Sequence, residues 1–239
     1  MKKSAVGSVF ALLLISAVVL PVFLSSYQWP GTARDHLELK GVEESGATNL
    51  VSAIYLGYRA YDTLGETIVL LVAVTGTIGI LKKAGAVIED RHSFALPGEM
   101  RRANYMRTHL LEAVTSKLGP IVLLFGFYVM LYGHLSPGGG FQGGVVVASG
   151  IVFLALGSSG NASSALIRQD ILGRIEAVAF LMLLILSISG IFTGEGFLDN
   201  PLKHYSSLPA AFIIVLNIII GLKVGAGIGV MCIIMLGKE

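Results

Sequence analysis

The sequence predicts an all-α, polytopic membrane protein with about six transmembrane helices and both termini in the cytoplasm. Three observations predict it. Charged residues are 13% of the chain and hydrophobic residues 54%, whereas a soluble domain carries roughly 25% charged residues. Such a chain cannot cover a water-facing surface. Apolar runs long enough to cross a hydrocarbon core of roughly 30 Å recur along it. Basic residues are distributed unevenly among the segments joining those runs, which sets an orientation.

Residues 5–24 carry no charge and follow Lys2 and Lys3. A basic start and an apolar core also suit a secretory signal peptide. No clear small-x-small cleavage pattern follows, so the segment is read as an uncleaved first span. Residues 25–62 are polar, then amphipathic. Within them, Val51, Ile54, Tyr55, Tyr58 and Tyr61 fall at helical spacing. Tyrosine favours membrane interfaces, because its ring is apolar and its hydroxyl wants water. A short helix along the membrane surface or against a partner is expected.

Residues 64–81 are the second span. Thr63 and Glu66 have capping-box spacing. Glu66 therefore either ties off the helix start or places a carboxylate on an ion path inside the membrane. Residues 82–117 gather seven basic residues around Pro97-Gly98 and form the seam of the chain. From Arg101 on, Met106, Leu110, Leu111 and Val114 predict a cytoplasmic helix leading into the next span. The third span is 118–132, with Pro120 near its start, and the fourth is 141–156. The fifth is 171–192, with Arg174 and Glu176 in its first turns. The sixth, 208–236, is 29 residues long and must tilt or bend.

Placing the N-terminus inside puts twelve basic residues in the cytoplasm and four outside, namely Arg34, Lys40, Arg59 and Lys203. The reverse orientation would invert that bias. The net charge of +2 is too small to suggest nucleic acid as a partner. A lone cysteine, Cys232, forms neither an intrachain disulfide nor a metal cluster. There is no Walker sequence, no dinucleotide glycine pattern after a strand and no His-Glu-x-x-His. The reading therefore expects no catalytic residue, cofactor or metal of the chain's own.

The third and fourth spans are joined by Gly133-His134-Leu135-Ser136-Pro137-Gly138-Gly139-Gly140-Phe141-Gln142-Gly143-Gly144. Glycine lets one backbone approach another without a Cβ in the way. Ser136 followed by Pro137 reads as an N-cap and first helical residue. His134 ends the third span. It is either a hydrogen-bonded interface residue or, with a pKa near neutrality, a proton-exchanging one.

Lys223 carries the most information. It lies roughly 20 Å from either end of the sixth run, at 1.5 Å rise per residue. A lysine near the bilayer centre costs between about 3 and more than 10 kcal/mol. The ammonium must therefore point into protein. It either fixes helix register through a buried salt bridge or relays protons or cations. Glu176 is a second candidate for the ion pathway and a possible partner for a lysine. Gly221, Gly225 and Gly229 form a small-residue ridge for close helix packing. Asn217 adds a polar group to that face.

The glycine-rich element and Gly221-Leu222-Lys223-Val224-Gly225-Ala226-Gly227 resemble the B-type subunit (MnhB/MrpB) of the Mrp-type multisubunit cation/proton antiporters. Upstream, Asn49-Leu50-Val51 and residues 58–70, Tyr-Arg-Ala-Tyr-Asp-Thr-Leu-Gly-Glu-Thr-Ile-Val-Leu, resemble the C-terminal tail of the large A-type subunit of the same antiporters. That piece also occurs as a separate subunit in membrane-bound hydrogenases and related respiratory complexes. The resemblance implies two parts: 1–95, a two-helix segment like the A-type tail, and 96–239, a four-helix domain of the B type. It implies a sodium/proton antiporter subunit working in a hetero-oligomer with other membrane subunits, in the membrane of a prokaryotic cell. The host is a stand-alone antiporter or a complex driven by a soluble redox arm, such as a hydrogenase-like oxidoreductase. Glu66, His134 and Lys223 fall on the matching motif positions, with Na+ and H+ as the implied cargo and membrane lipid as the surroundings. An adaptor that only assembles larger pumping subunits is the alternative.

Overall fold

The computed structural model describes residues 16, 31–92, 109–157, 168–193, 196–202 and 209–236. The first expected span, the Pro97-Gly98 break and the start of the helix expected from Arg101 lie outside the described residues. The chain divides into two compact units, Met1–His36 and Leu37–Glu239. In the first, the Arg34 guanidinium donates to the adjacent Asp35 carboxylate at 2.9 Å.

All regular structure among the described residues is helical: α1 (Thr32–Ser45), α2 (Leu50–Ala53), a π-helical stretch (Ile54–Tyr58), α3 (Ala60–His92), α4 (His109–Leu131), α5 (Gly140–Gly157), α6 (Gln169–Phe192) and α7 (Pro209–Met235). Of these, α3 to α7 are long and apolar enough to cross a membrane, so the described residues hold five spans. They are helices because no other open-chain structure satisfies its own backbone in lipid. The polar α1 ends at Gly46, whose φ of 73° is left-handed. Its N–H bonds Val42 O at 2.8 Å, and glycine adopts that conformation at no steric cost.

α4 and α5 form an antiparallel hairpin held by small residues. Going up α4, Thr115 meets Gly157, Gly119 meets Leu154, Leu123 meets Gly150, Gly126 meets Val147 and Met130 meets Gly143. α5 and α7 then run parallel. A Cβ at Gly140 or Gly144 would lie 2.7 Å from the carbonyl oxygen of Asn217 or Gly221. Facing them, Gly225 lies against Val147 and Gly144, and Gly229 against Ile151. Without a hydrophobic drive between helices in lipid, such backbone proximity is what holds them together.

α7 is the axis of the bundle, packing against α3, α4, α5 and α6. Apart from Asn217 and Lys223 it is apolar around its circumference, as suits a central helix. Ile213, Leu216, Ile220, Val224 and Ile233 are nearly or fully buried. α3 is the opposite case, with Val69, Val72 and Ile80 exposed.

Three local expectations change. Thr63 is not an N-cap: α3 already begins at Ala60, and the Thr63 hydroxyl donates back to Tyr55 O. Ser136 is not an N-cap either. Its hydroxyl donates to Tyr132 O at 3.1 Å, closing the end of α4, and α5 begins only at Gly140. A serine near a helix boundary serves either end by the same local bonds. The segment around Tyr55 does not lie free on a surface. Ser52 and Ala53 are fully buried, packed against this chain's own glycine-rich element and α7.

Candidate ion-path site

α6 and α7 bring Glu176 and Lys223 together in the protein interior. Lys223 is 0% exposed and Glu176 6%. The Lys223 Nζ lies 3.8 Å from Glu176 Oε1 and 5.9 Å from the centre of the Phe180 ring. A direct bond between such groups spans about 2.7–2.9 Å. At 3.8 Å the charges attract without sharing a proton. Among the described residues, Lys223 Nζ and Glu176 Oε1 are buried without a hydrogen-bond partner. A packed structural salt bridge satisfies its donors and acceptors, because burying an ion is otherwise costly. This pair sits about 1 Å short of contact. Gly227 makes the space: a Cβ there would come within 2.7 Å of Glu176 Oε1.

Six residues earlier on α7, about 9 Å along the axis, Asn217 is also fully buried. Its Oδ1 accepts from the backbone N–H of Gly140 at 2.7 Å and from the hydroxyl of Tyr55. The first N–H of α5, which has no acceptor within its own helix, is thus capped by a side chain of another helix. Asn217 Nδ2 is buried and unpartnered among the described residues. Tyr55 of the π-helical stretch thus meets α7 at Asn217, six residues before Lys223.

The glycine-rich element is clamped from outside by α2. Asn49 Nδ2 donates to Gly133 O and Ser136 O, both at 2.8 Å. The Ser52 hydroxyl also donates to Gly133 O, at 2.5 Å, and the Asn49 N–H reaches His134 O at 3.0 Å. Within the element, Gly138 and Gly139 pass too close to Val129 and Tyr55 for any Cβ, and Gly143 is buried against Met130. Pro137 and Gln142 are exposed.

Glu66 and His134 stand apart from the pair. Glu66 is exposed on the second turn of α3. His134 is half-buried, with its Nδ1 3.0 Å from Leu131 O. Sequence reasoning did not single out Asn49, Ser52 or Tyr55 as anchors. Their partners lie 81 to 162 positions away, where no local pattern reports them.

A bundle of membrane-spanning helices around an enclosed, under-bonded ion pair defines a class: integral membrane proteins with ionisable groups held inside the bundle. Residues 110–230 match the model of a family described as a domain related to the MnhB subunit of Na+/H+ antiporter. The chain belongs to that family. It is 30% identical over 196 residues to an uncharacterized protein of Methanocaldococcus jannaschii, covering 75% of this chain and 74% of that protein. It is 24% identical over 221 residues to a protein of Rhizobium meliloti named as the probable A/B subunit of a K+/H+ antiporter, covering 86% of this chain but only 21% of the relative. Among solved structures, a chain of the membrane-bound sulfane sulfur reductase, an archaeal respiratory membrane complex, superposes with a TM-score of 0.72 at 26% identity. That match covers 100% of both chains.

Proposed function

We propose that this chain is a membrane subunit of a sodium/proton antiporter module and carries one intramembrane relay step at Glu176 and Lys223. The observation that carries the reading is the buried pair 3.8 Å apart with orphaned atoms on both sides. Geometry of this kind suits a group that gives and takes a proton better than one that only glues helices. When a proton or cation arrives, either side chain needs to move only about 1 Å to reach bonding distance. Tyr55 and Asn217 extend the polar interior beside the pair, and Glu66 and His134 are the further groups of the ion path. The module sits in a prokaryotic cell membrane with its termini in the cytoplasm, beside larger pumping subunits. Its host is either an antiporter complex, as the rhizobial relative's name suggests, or a respiratory complex with a soluble redox arm, as the sulfane sulfur reductase suggests. Residues 1–95 act as the A-type tail and 96–239 as the B-type domain.

The test is Na+-driven proton flux in inverted membrane vesicles holding the assembled complex with Lys223→Met. Flux falls at least about tenfold while the other subunits remain at normal stoichiometry. Normal flux in the assembled variant overturns the relay. The adaptor reading has its own support in the glycine contacts between α5 and α7. It predicts that the same variant either leaves flux unchanged or disperses the complex.

A further inference from the structure

On the outer side of α6 and α7, away from the relay, lies a cavity of about 490 Å³ open to the surroundings. On α6 it is lined by Ile171, Arg174, Ile175, Val178 and Met182, and on α7 by Leu222 among others. The α6 positions recur every three or four residues, so they form one continuous face. From Ile171 to Met182 that face runs about 16 Å at 1.5 Å per residue. Half of a hydrocarbon core of roughly 30 Å is about 15 Å. The groove is therefore as long as one leaflet is deep. Apart from Arg174 every residue lining it is apolar, and Arg174 sits near its outer end, in the second turn of α6. The guanidinium is exposed and forms no ion pair among the described residues. An arginine so near a helix end extends its guanidinium to the membrane interface, where lipid headgroups lie. A basic group at the rim of a cleft between membrane helices matches a lipid headgroup phosphate.

We infer that the α6–α7 groove holds one anionic phospholipid, its phosphate on Arg174 and one hydrocarbon chain along Ile175, Val178 and Met182. Charge complementarity selects the headgroup, and groove length selects a single leaflet's chain.

The experiment measures phospholipid retained by the detergent-washed complex, using mass spectrometry of the intact assembly and a phosphorus assay. Wild type retains an anionic phospholipid on this chain. Arg174→Gln loses most of it, at least about fivefold, and Arg174→Lys keeps it. Met182→Trp, which fills the groove and leaves the charge in place, loses it as well. Equal retention in wild type, Arg174→Gln and Met182→Trp overturns the inference. So does a high-yield cross-link from a cysteine placed at Val178 to another protein of the complex, which would show that protein covers the groove.

Discussion

Two polar regions of this molecule lie on either side of Asn217, and they are built in opposite ways. Where α2 meets the glycine-rich element, donors and acceptors are matched: Asn49 and Ser52 serve the carbonyls of Gly133 and Ser136 at 2.5–2.8 Å. Where α6 meets α7, a carboxyl and an amine are buried and left 3.8 Å apart. A matched network fixes one structure, because breaking any bond leaves a desolvated group behind. An unmatched pair leaves donors and acceptors that no fixed bond holds in place. The first region is architecture, and the second is where the proposed relay step is placed.

The largest effect falls on the architecture. Gly144→Val puts a branched side chain where even a Cβ would lie 2.7 Å from Gly221 O, and neither backbone can yield without parting α5 from α7. The variant fails to assemble, read as loss of this chain from the purified complex. Asn49→Ala is milder. It strips two carbonyls of one donor while Ser52 still serves Gly133, and costs about 2 kcal/mol, seen as a lower thermal midpoint of the complex. Exchange per assembled complex stays within about twofold of wild type. A collapse of exchange in an assembled Asn49→Ala complex would erase the distinction between the two regions.

The smallest effect lies at the aqueous rim. Tyr58 donates to Glu44 at 2.6 Å. Burial first, then the bond and charge of Glu44, push its phenol up from the usual 10 to about 12. A raised pKa means that the folded state favours the protonated form. This contribution is present below pH 10 and is lost as pH climbs from about 10 to about 12. In Tyr58→Phe that part of the alkaline decline in stability disappears, which a pH series of thermal melts would resolve.

The bundle was largely legible in the sequence, because uncharged runs of membrane length have few other fates. Lys223 was legible for the same reason: a charge inside such a run is costly enough to stand out. The contact between Tyr55 and Asn217 was not. Tyr55 and Asn217 are 162 positions apart, and only tertiary packing joins them. Ser136-Pro137 misled because a hydroxyl beside a helix end bonds equally well to the turn behind it. The Thr63–Glu66 spacing misled because the helix already begins at Ala60, directly after the π-helical stretch, and Thr63 bonds back to that stretch at Tyr55 O. Local motifs describe single turns, whereas these boundaries were decided by what the turns pack against.

The relay claim is tested most directly by removing both charges at once. Lys223→Met with Glu176→Leu replaces the pair by apolar groups of similar size, which for buried pairs is often neutral or stabilising. Thermal stability and Na+-driven proton flux are measured on the same assembled complex. The account predicts a midpoint equal to or above wild type and flux reduced at least about tenfold. Wild-type flux in that stable double variant would show that the two charges carry nothing through the membrane.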